Sequence, residues 1–204
     1  EFPRYREIGG SDIYMDYMEP KDWYSYEPTH YFHARFAWDP YQDVDDAIAD
    51  YAEKRYPGAG PEMVGYLTNV ENGFNLFGKV RGFDKPLPDL ERAREHFALA
   101  DTALKSTLGK VSEPGAKSLI EKNVKSLHYV RDALAVWYLV KTGKPDEAIA
   151  TGEALVAFLK ENLDEGVFLY PPDSPFLYAY IQAYLDTLTD RPPAEPSPDI
   201  PFQG

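Results

Sequence analysis

From Val44 onward the apolar residues recur three and four positions apart, the period of helices that each bury one face. Val44, Ala47, Ile48, Tyr51 and Ala52 make the first such stripe, opened by Gln42 or Asp43 and closed by Pro57 and Gly58. Gly60, Pro61 and Glu62 restart a helix, with proline early and an acid in the first turn. Met63, Tyr66, Leu67, Val70 and Phe74 carry it to about Gly78. After a loop over 79–87, Pro88 opens a helix bearing Leu90, Ala93, Phe97, Ala100, Leu104 and Leu108. Pro114 begins the longest one, where Ile120, Leu127 and Leu134 fall seven apart beside Val130 and Trp137, and Gly143 ends it. Pro145, Asp146 and Glu147 start another, carrying Ile149, Gly152, Val156, Leu159 and Leu163 as far as Gly166. Ser174 and Pro175 introduce the last, striped by Leu177, Tyr180, Ile181, Tyr184, Leu185 and Leu188. Short Gly- and Pro-marked connections predict antiparallel neighbours in a bundle.

The beginning of the chain follows a different rule. Residues 2–8 read as the last turns of a helix stopped by Gly9 and Gly10, where left-handed geometry costs least. Residues 12–17 alternate and hold the β-formers Ile13, Tyr14 and Tyr17, which suits a short buried strand. A helix, a glycine pair and a strand make half of a βαβ repeat, and a single strand is not stable alone. Its partners are therefore expected in a part of the protein outside this chain. Residues 18–28 read as a loop broken by Pro20 and Pro28 and dense in Trp23, Tyr24 and Tyr26. Thr29 then caps a short aromatic helix around Tyr31, Phe32, Phe36 and Trp38, which breaks at Asp39 and Pro40. At the far end, residues 191–204 contain Pro192, Pro193, Pro196, Pro198 and Pro201, so an extended tail is expected.

Composition narrows the partners. The formal charge of −13 repels phosphate backbones, and Lys and Arg are scattered along the chain, so nucleic acid is excluded as an expected partner. No apolar run approaches the ~20 residues a membrane helix needs. The absence of Cys removes disulfides, thiolate metal sites and cysteine nucleophiles together. The chain starts at Glu1 with no charged-then-apolar leader, which suggests a processed product or a piece of something longer.

Candidate chemistry gathers near the predicted strand. Asp12, Asp16, Glu19, Asp22 and Glu27 cluster there, and Asp16 sits near the strand's C-terminal end, where α/β folds place site residues. The competing role for Asp16 is a structural hydrogen-bond acceptor. Tyr14, Tyr17, Trp23, Tyr24, Tyr26 and Tyr31 offer flat faces and polar tips to sugar rings, or plug the joint between strand and bundle; Trp23 and Tyr24 are the members expected at the surface. His30 and His33 lie one helical turn apart but lack a third ligand at motif spacing. The run Asp43, Asp45, Asp46, Asp50 lacks the Gly and closing Glu of a calcium loop and fits first-turn acids on a helix dipole. No phosphate-cradling loop or nucleophile elbow occurs, and no cofactor is expected.

One stretch carries a resemblance. Tyr31, Ala34, Arg35, Trp38, Asp39, Pro40, Asp43, Val44 and Asp45, then Tyr51, Arg55, Tyr56, Gly58 and Met63, resemble the C-terminal region of bacterial α-glucuronidase-like or hexosaminidase-like proteins, attached to a (β/α)8 glycosidase-like barrel. Pro57 departs from the pattern, which tends to Tyr or Phe there, and Asp16 stands where the family often has Glu. The resemblance implies a mainly α fold, an antiparallel helical bundle preceded by a helix-strand remnant of an α/β barrel. Residues 1–28 would be the remnant, 29–190 the bundle and 191–204 the tail. It further implies a periplasmic or secreted parent that acts on oligo- or polysaccharide, contacts the rest of that parent, and takes its catalytic acids from strands this chain lacks. The chain would support the barrel and lend Asp16, Trp23, Tyr24 and Tyr26 to the sugar site without being active alone. The alternative is a non-catalytic carbohydrate-binding or protein-interaction module.

Overall fold

In the computed structural model, residues 2–8, 23–77, 85–162, 185–186 and 188–189 are described. Their helices are α1 (Phe2–Glu7), α2 (Trp23–Trp38), α3 (Val44–Arg55), α4 (Gly60–Phe77), α5 (Leu87–Lys110), α6 (Pro114–Lys141) and α7 (Pro145–Asn162). Leu185, Asp186 and Leu188 are helical as well. The fold is mainly α, as the periodicity predicts.

Each boundary has a local cause. Asp43 sits in extended geometry before α3 and its carboxylate accepts the Asp46 N–H at 3.0 Å, so the acid-rich front of α3 is a helix cap. Glu113 does the same for α6, accepting from the N–H groups of Gly115 and Ala116, while Pro114 fills a position that has no need of a donor. Those backbone donors, Ala116 first, hold the Glu113 carboxyl below its ordinary range. Gly58 and Gly143 take φ of 82° and 75° just past α3 and α6, a left-handed turn that a side chain resists. Asp43→Ala is expected to lower stability by about 1 kcal/mol, the usual worth of an N-cap; thermal denaturation beside an Asp43→Ser control checks it.

Cross-helix contacts fix the topology. Between α4 and α5, Glu62 pairs with Lys110, the Asn69 Oδ1 lies 2.9 Å from the His96 Nδ1, and the Phe74 ring meets Phe97 at 5.5 Å. The start of α4 meets the end of α5, and the later part of α4 meets its middle, so the two are antiparallel. The same inversion links α5 to α6, where Arg131 lies 3.3 Å from Asp101 and Arg94 lies over the Tyr138 ring. It recurs between α6 and α7, where His128 stacks on Phe158 while Lys141 and Pro145 adjoin across Gly143. The result is an antiparallel bundle wound in chain order.

The core follows the predicted stripes closely. Leu90, Ala93, Phe97, Ala100 and Leu104 of α5 are fully buried, packed with Met63 and Tyr66 of α4 and with Ile120, Leu127, Leu134 and Trp137 of α6. A second cluster joins Ala133 of α6 to Leu155, Val156 and Leu159 of α7 and to Leu185. Helix α6 therefore buries two faces, which is why its apolar stripe is broad.

Three expectations change. Residues 23–28 are not a loop: α2 starts at Trp23 and runs through Pro28, so Thr29 is inside the helix and the expected boundary at 28/29 falls within it. A proline removes one N–H and crowds the carbonyl four residues back, and the Glu27–Arg55 ion pair beside it ties this turn to α3. Tertiary fastening thus outweighs local propensity. Val44, assigned to the buried face of α3, is 56% exposed because it occupies the first helical position, ahead of the contact with α4. Thr107, outside the predicted stripe, is fully buried, its hydroxyl donating to the Ala103 carbonyl at 2.8 Å. The strand expected over 12–17, the last helix up to residue 184 and the tail lie outside the described residues, and no strand occurs among those described.

Candidate functional site

The segment that carries the resemblance is a joint between α2, α3 and α4. Arg35 of α2 reaches Asp50 of α3, and the Tyr31 hydroxyl, accepting from Arg35 Nη1 at 2.7 Å, donates to the same carboxylate at 3.0 Å. Lys54, one turn further along α3, completes the set at 2.9 Å. A turn earlier on α2, Glu27 meets the Arg55 guanidinium through two contacts, Oε1 to Nε at 2.6 Å and Oε2 to Nη2 at 2.9 Å. Only the Nη2 contact is a hydrogen bond; the Nε lies close to the carboxylate as an ion pair but is left without a hydrogen-bond partner, so the grip is charge-assisted and single-bonded. Between the two ion pairs, Tyr31 and Phe32 pack on Tyr51 with ring centres 5.1 and 5.5 Å apart.

Lys54, then Arg35 and Tyr31, hold the Asp50 carboxyl down at about 2, below its ordinary 3.8. Because its folded-state pKa lies below the unfolded one, the stabilisation is complete above pH 3.8 and is lost as the pH falls toward 2. Stability measured from pH 5 to 2 should therefore drop more steeply in the wild type than in Asp50→Asn, with the curves parallel above pH 5. Equal slopes would remove Asp50 from the acid transition.

Beneath the joint lies a polar core. Tyr51, Tyr56 and Tyr66 are buried, and burial is the first cause that pushes each phenol above its ordinary range. Asn123 of α6 connects two of them. Its Oδ1 accepts from the Tyr66 hydroxyl at 3.1 Å, while its Nδ2 donates to the Tyr56 hydroxyl at 3.3 Å and to the Leu119 carbonyl at 3.1 Å. These phenols stay protonated at neutral pH and serve as hydrogen-bond partners rather than as bases.

A cleft of about 520 Å³ opens between α5 and α6 over a floor of Phe97 and Leu134. Its rim alternates in sign, with Glu91, Glu95 and Asp132 against Arg94 and Arg131. Both cations are engaged already, Arg94 over the Tyr138 ring at 4.1 Å and Arg131 with Asp101. The His128 Nε2 lies 3.2 Å from the Asp132 carboxylate, and its ring centre is 4.3 Å from that of Phe158. Arg94, Arg131 and Asp132 are thus taken up by neighbours within the surface.

Of the candidates read from sequence, Asp16 lies outside the described residues, as do Asp12, Glu19 and Asp22. Trp23, Tyr24 and Tyr26 fall on the first turns of α2, so they are carried by a helix and not by a loop. Glu27, the remaining acid of that cluster, is the partner of Arg55 and is accounted for structurally. His30 and His33 lie on α2, and no three His, Asp or Glu among the described residues gather as a metal site. No helix among them is long and apolar enough to cross a membrane. The Arg35–Asp50 pair, the Asn123 hub and the α5–α6 cleft were not foreseen. Only Asp50 with Lys54, four apart on one helix, left a local signal. No protein-family model, curated protein or solved structure matches the chain.

Proposed function

We propose that this chain is a helical support region of a carbohydrate-active, glycoside hydrolase-like protein, non-catalytic by itself, that holds Asp16, Trp23, Tyr24 and Tyr26 toward the sugar site of a barrel. The observation that carries the reading is the double clamp on α2: Arg35 on Asp50 and Arg55 on Glu27 lock this helix to α3. The aromatic start of α2 is thereby held in register with a packed bundle, which is what a substrate-contacting edge requires. The same clamp uses Tyr31, Arg35, Tyr51 and Arg55 internally, so the residues shared with the glycosidase-like pattern act in fastening and leave the chemistry to other parts of the parent.

The test is made in the parent protein, with the barrel present. Trp23→Ala and Asp16→Asn should each lower kcat/KM on its oligosaccharide by roughly tenfold, the scale of losing one well-placed binding group, without lowering the melting temperature. Unchanged kinetics in both variants would overturn the proposal. The second reading, a non-catalytic carbohydrate-binding or protein-interaction module, is favoured by one observation: Trp38 is 88% exposed at the α2–α3 corner. Titration of the isolated chain with neutral and acidic oligosaccharides separates the two, since a support region with half a sugar site should bind neither appreciably.

A further inference from the structure

We propose that the corner between α2 and α3, built from Trp38, Tyr41 and Val44, is a docking surface for a cationic segment of a protein partner, one that brings Arg or Lys beside an apolar anchor. The three side chains are 88%, 65% and 56% exposed, and they fall within seven residues at the end of α2, the turn and the start of α3. A tryptophan turned almost wholly to water gains nothing for the fold, whereas the same ring covered by a partner is among the strongest single anchors of an interface.

Hydrogen bonds tie the corner together. Asp39 Oδ1 accepts the Tyr41 N–H at 3.2 Å, and the Asp39 N–H closes α2 on the Arg35 carbonyl at 3.0 Å. Gln42 reaches back to the Arg35 and Asp39 carbonyls at 3.2 and 3.1 Å and accepts from the Arg35 Nε at 2.6 Å. Pro40 is buried beneath. Trp38 and Tyr41 are therefore presented on a turn that needs no ordering when a partner arrives, which lowers the entropic cost of association.

Charge identifies the occupant. Asp39, Asp43, Asp45 and Asp46 are all exposed around the aromatic pair, and none enters an ion pair among the described residues. With the chain at −13, this rim repels uronic sugars, phosphates and other acidic chains, and attracts guanidinium and ammonium groups. Arginine has a second contact available, its planar cation over the Trp38 or Tyr41 ring. The exposed aliphatic Val44 at the start of α3 suits an apolar side chain better than a sugar hydroxyl. The proposal stands apart from the carbohydrate reading, because it uses none of Asp16, Trp23, Tyr24 or Tyr26.

The test uses the full chain and a synthetic peptide of alternating Leu and Arg, followed by calorimetry and Trp fluorescence, with a Leu-Glu peptide and neutral oligosaccharide as comparison ligands. The Leu-Arg peptide should bind and the other two should not. Trp38→Ala should weaken it by roughly tenfold, as truncation of a central aromatic anchor does, while Trp38→Phe keeps most of the affinity. Removing two rim charges with Asp45→Asn and Asp46→Asn should weaken binding and flatten its salt dependence. Removing two distant ones with Glu91→Gln and Glu95→Gln should change neither. Circular dichroism and melting temperature should be unchanged in the Trp38 variants, as fits its exposure. The proposal is overturned by absence of peptide binding, by equal binding to Trp38→Ala, by equal loss from the α5 control, or by preference for the oligosaccharide.

Discussion

Replacing Phe97 with alanine is expected to destabilise the chain by about 3–5 kcal/mol, the range for deleting a buried aromatic ring. Phe97 is fully buried, stands edge-on to Phe74 and forms the floor of the α5–α6 cleft. It also sits against Gly73 of α4, where an added Cβ would come within 2.5, 2.7 and 2.9 Å of three ring carbons. The same contact can therefore be attacked from both sides. Gly73→Ala should cost about 1–3 kcal/mol by overpacking, even though alanine is the better helix former and would add stability at an open position. The decisive measurement is the pair. Combining Gly73→Ala with Phe97→Leu should be less damaging than the sum of the two, because the smaller side chain clears the space that the new methyl needs. Strict additivity in urea denaturation would mean that α4 and α5 do not approach at Gly73 as closely as the structure has them.

That close approach shows where sequence reading succeeds and where it stops. The stripe of Leu90, Ala93, Phe97, Ala100 and Leu104 was legible because its period is set by the helix itself, and burial follows from period. Gly73 carried no such mark; a mid-helix glycine has the same symbol whether it is open to solvent or pressed against a ring. The start of α2 was missed for a related reason. Pro28 is a local stop signal, whereas its override, the Glu27–Arg55 ion pair, joins residues 28 apart. Val44 has the hydrophobicity of a core residue, and only its place at the first helical position turns it outward. Of the candidate site, the aromatic density at the start of α2, the acids around it and the residues Tyr31, Arg35, Tyr51 and Arg55 were visible in the sequence. Their roles as clamps came from partners on neighbouring helices, which no spacing within one helix reveals.

Asn123 makes the same point at the level of energy, and supplies the second large effect. In an apolar helix such as α6 a polar residue reads as a solvated position, yet its amide links the Tyr56 and Tyr66 hydroxyls in the bundle interior. Asn123→Ala should cost about 2–3 kcal/mol, because the Tyr66 donor is stranded without water and the Tyr56 oxygen loses a partner at the same time. Tyr66→Phe should cost only about 1 kcal/mol, since it removes the donor together with its bond. Once Tyr66 is phenylalanine, Asn123→Ala has less left to strand, so the double variant should fall short of the sum by at least ~0.5 kcal/mol, the coupling expected of residues in one network. Converting Tyr56 and Tyr66 to Phe together with Asn123→Leu should recover more still, for an apolar set of matched shape leaves no buried group unsatisfied. If Asn123→Ala and Tyr66→Phe were equal and additive, the amide would be a surface residue. The joint that holds α3 and α4 to α6 would then rest on packing alone.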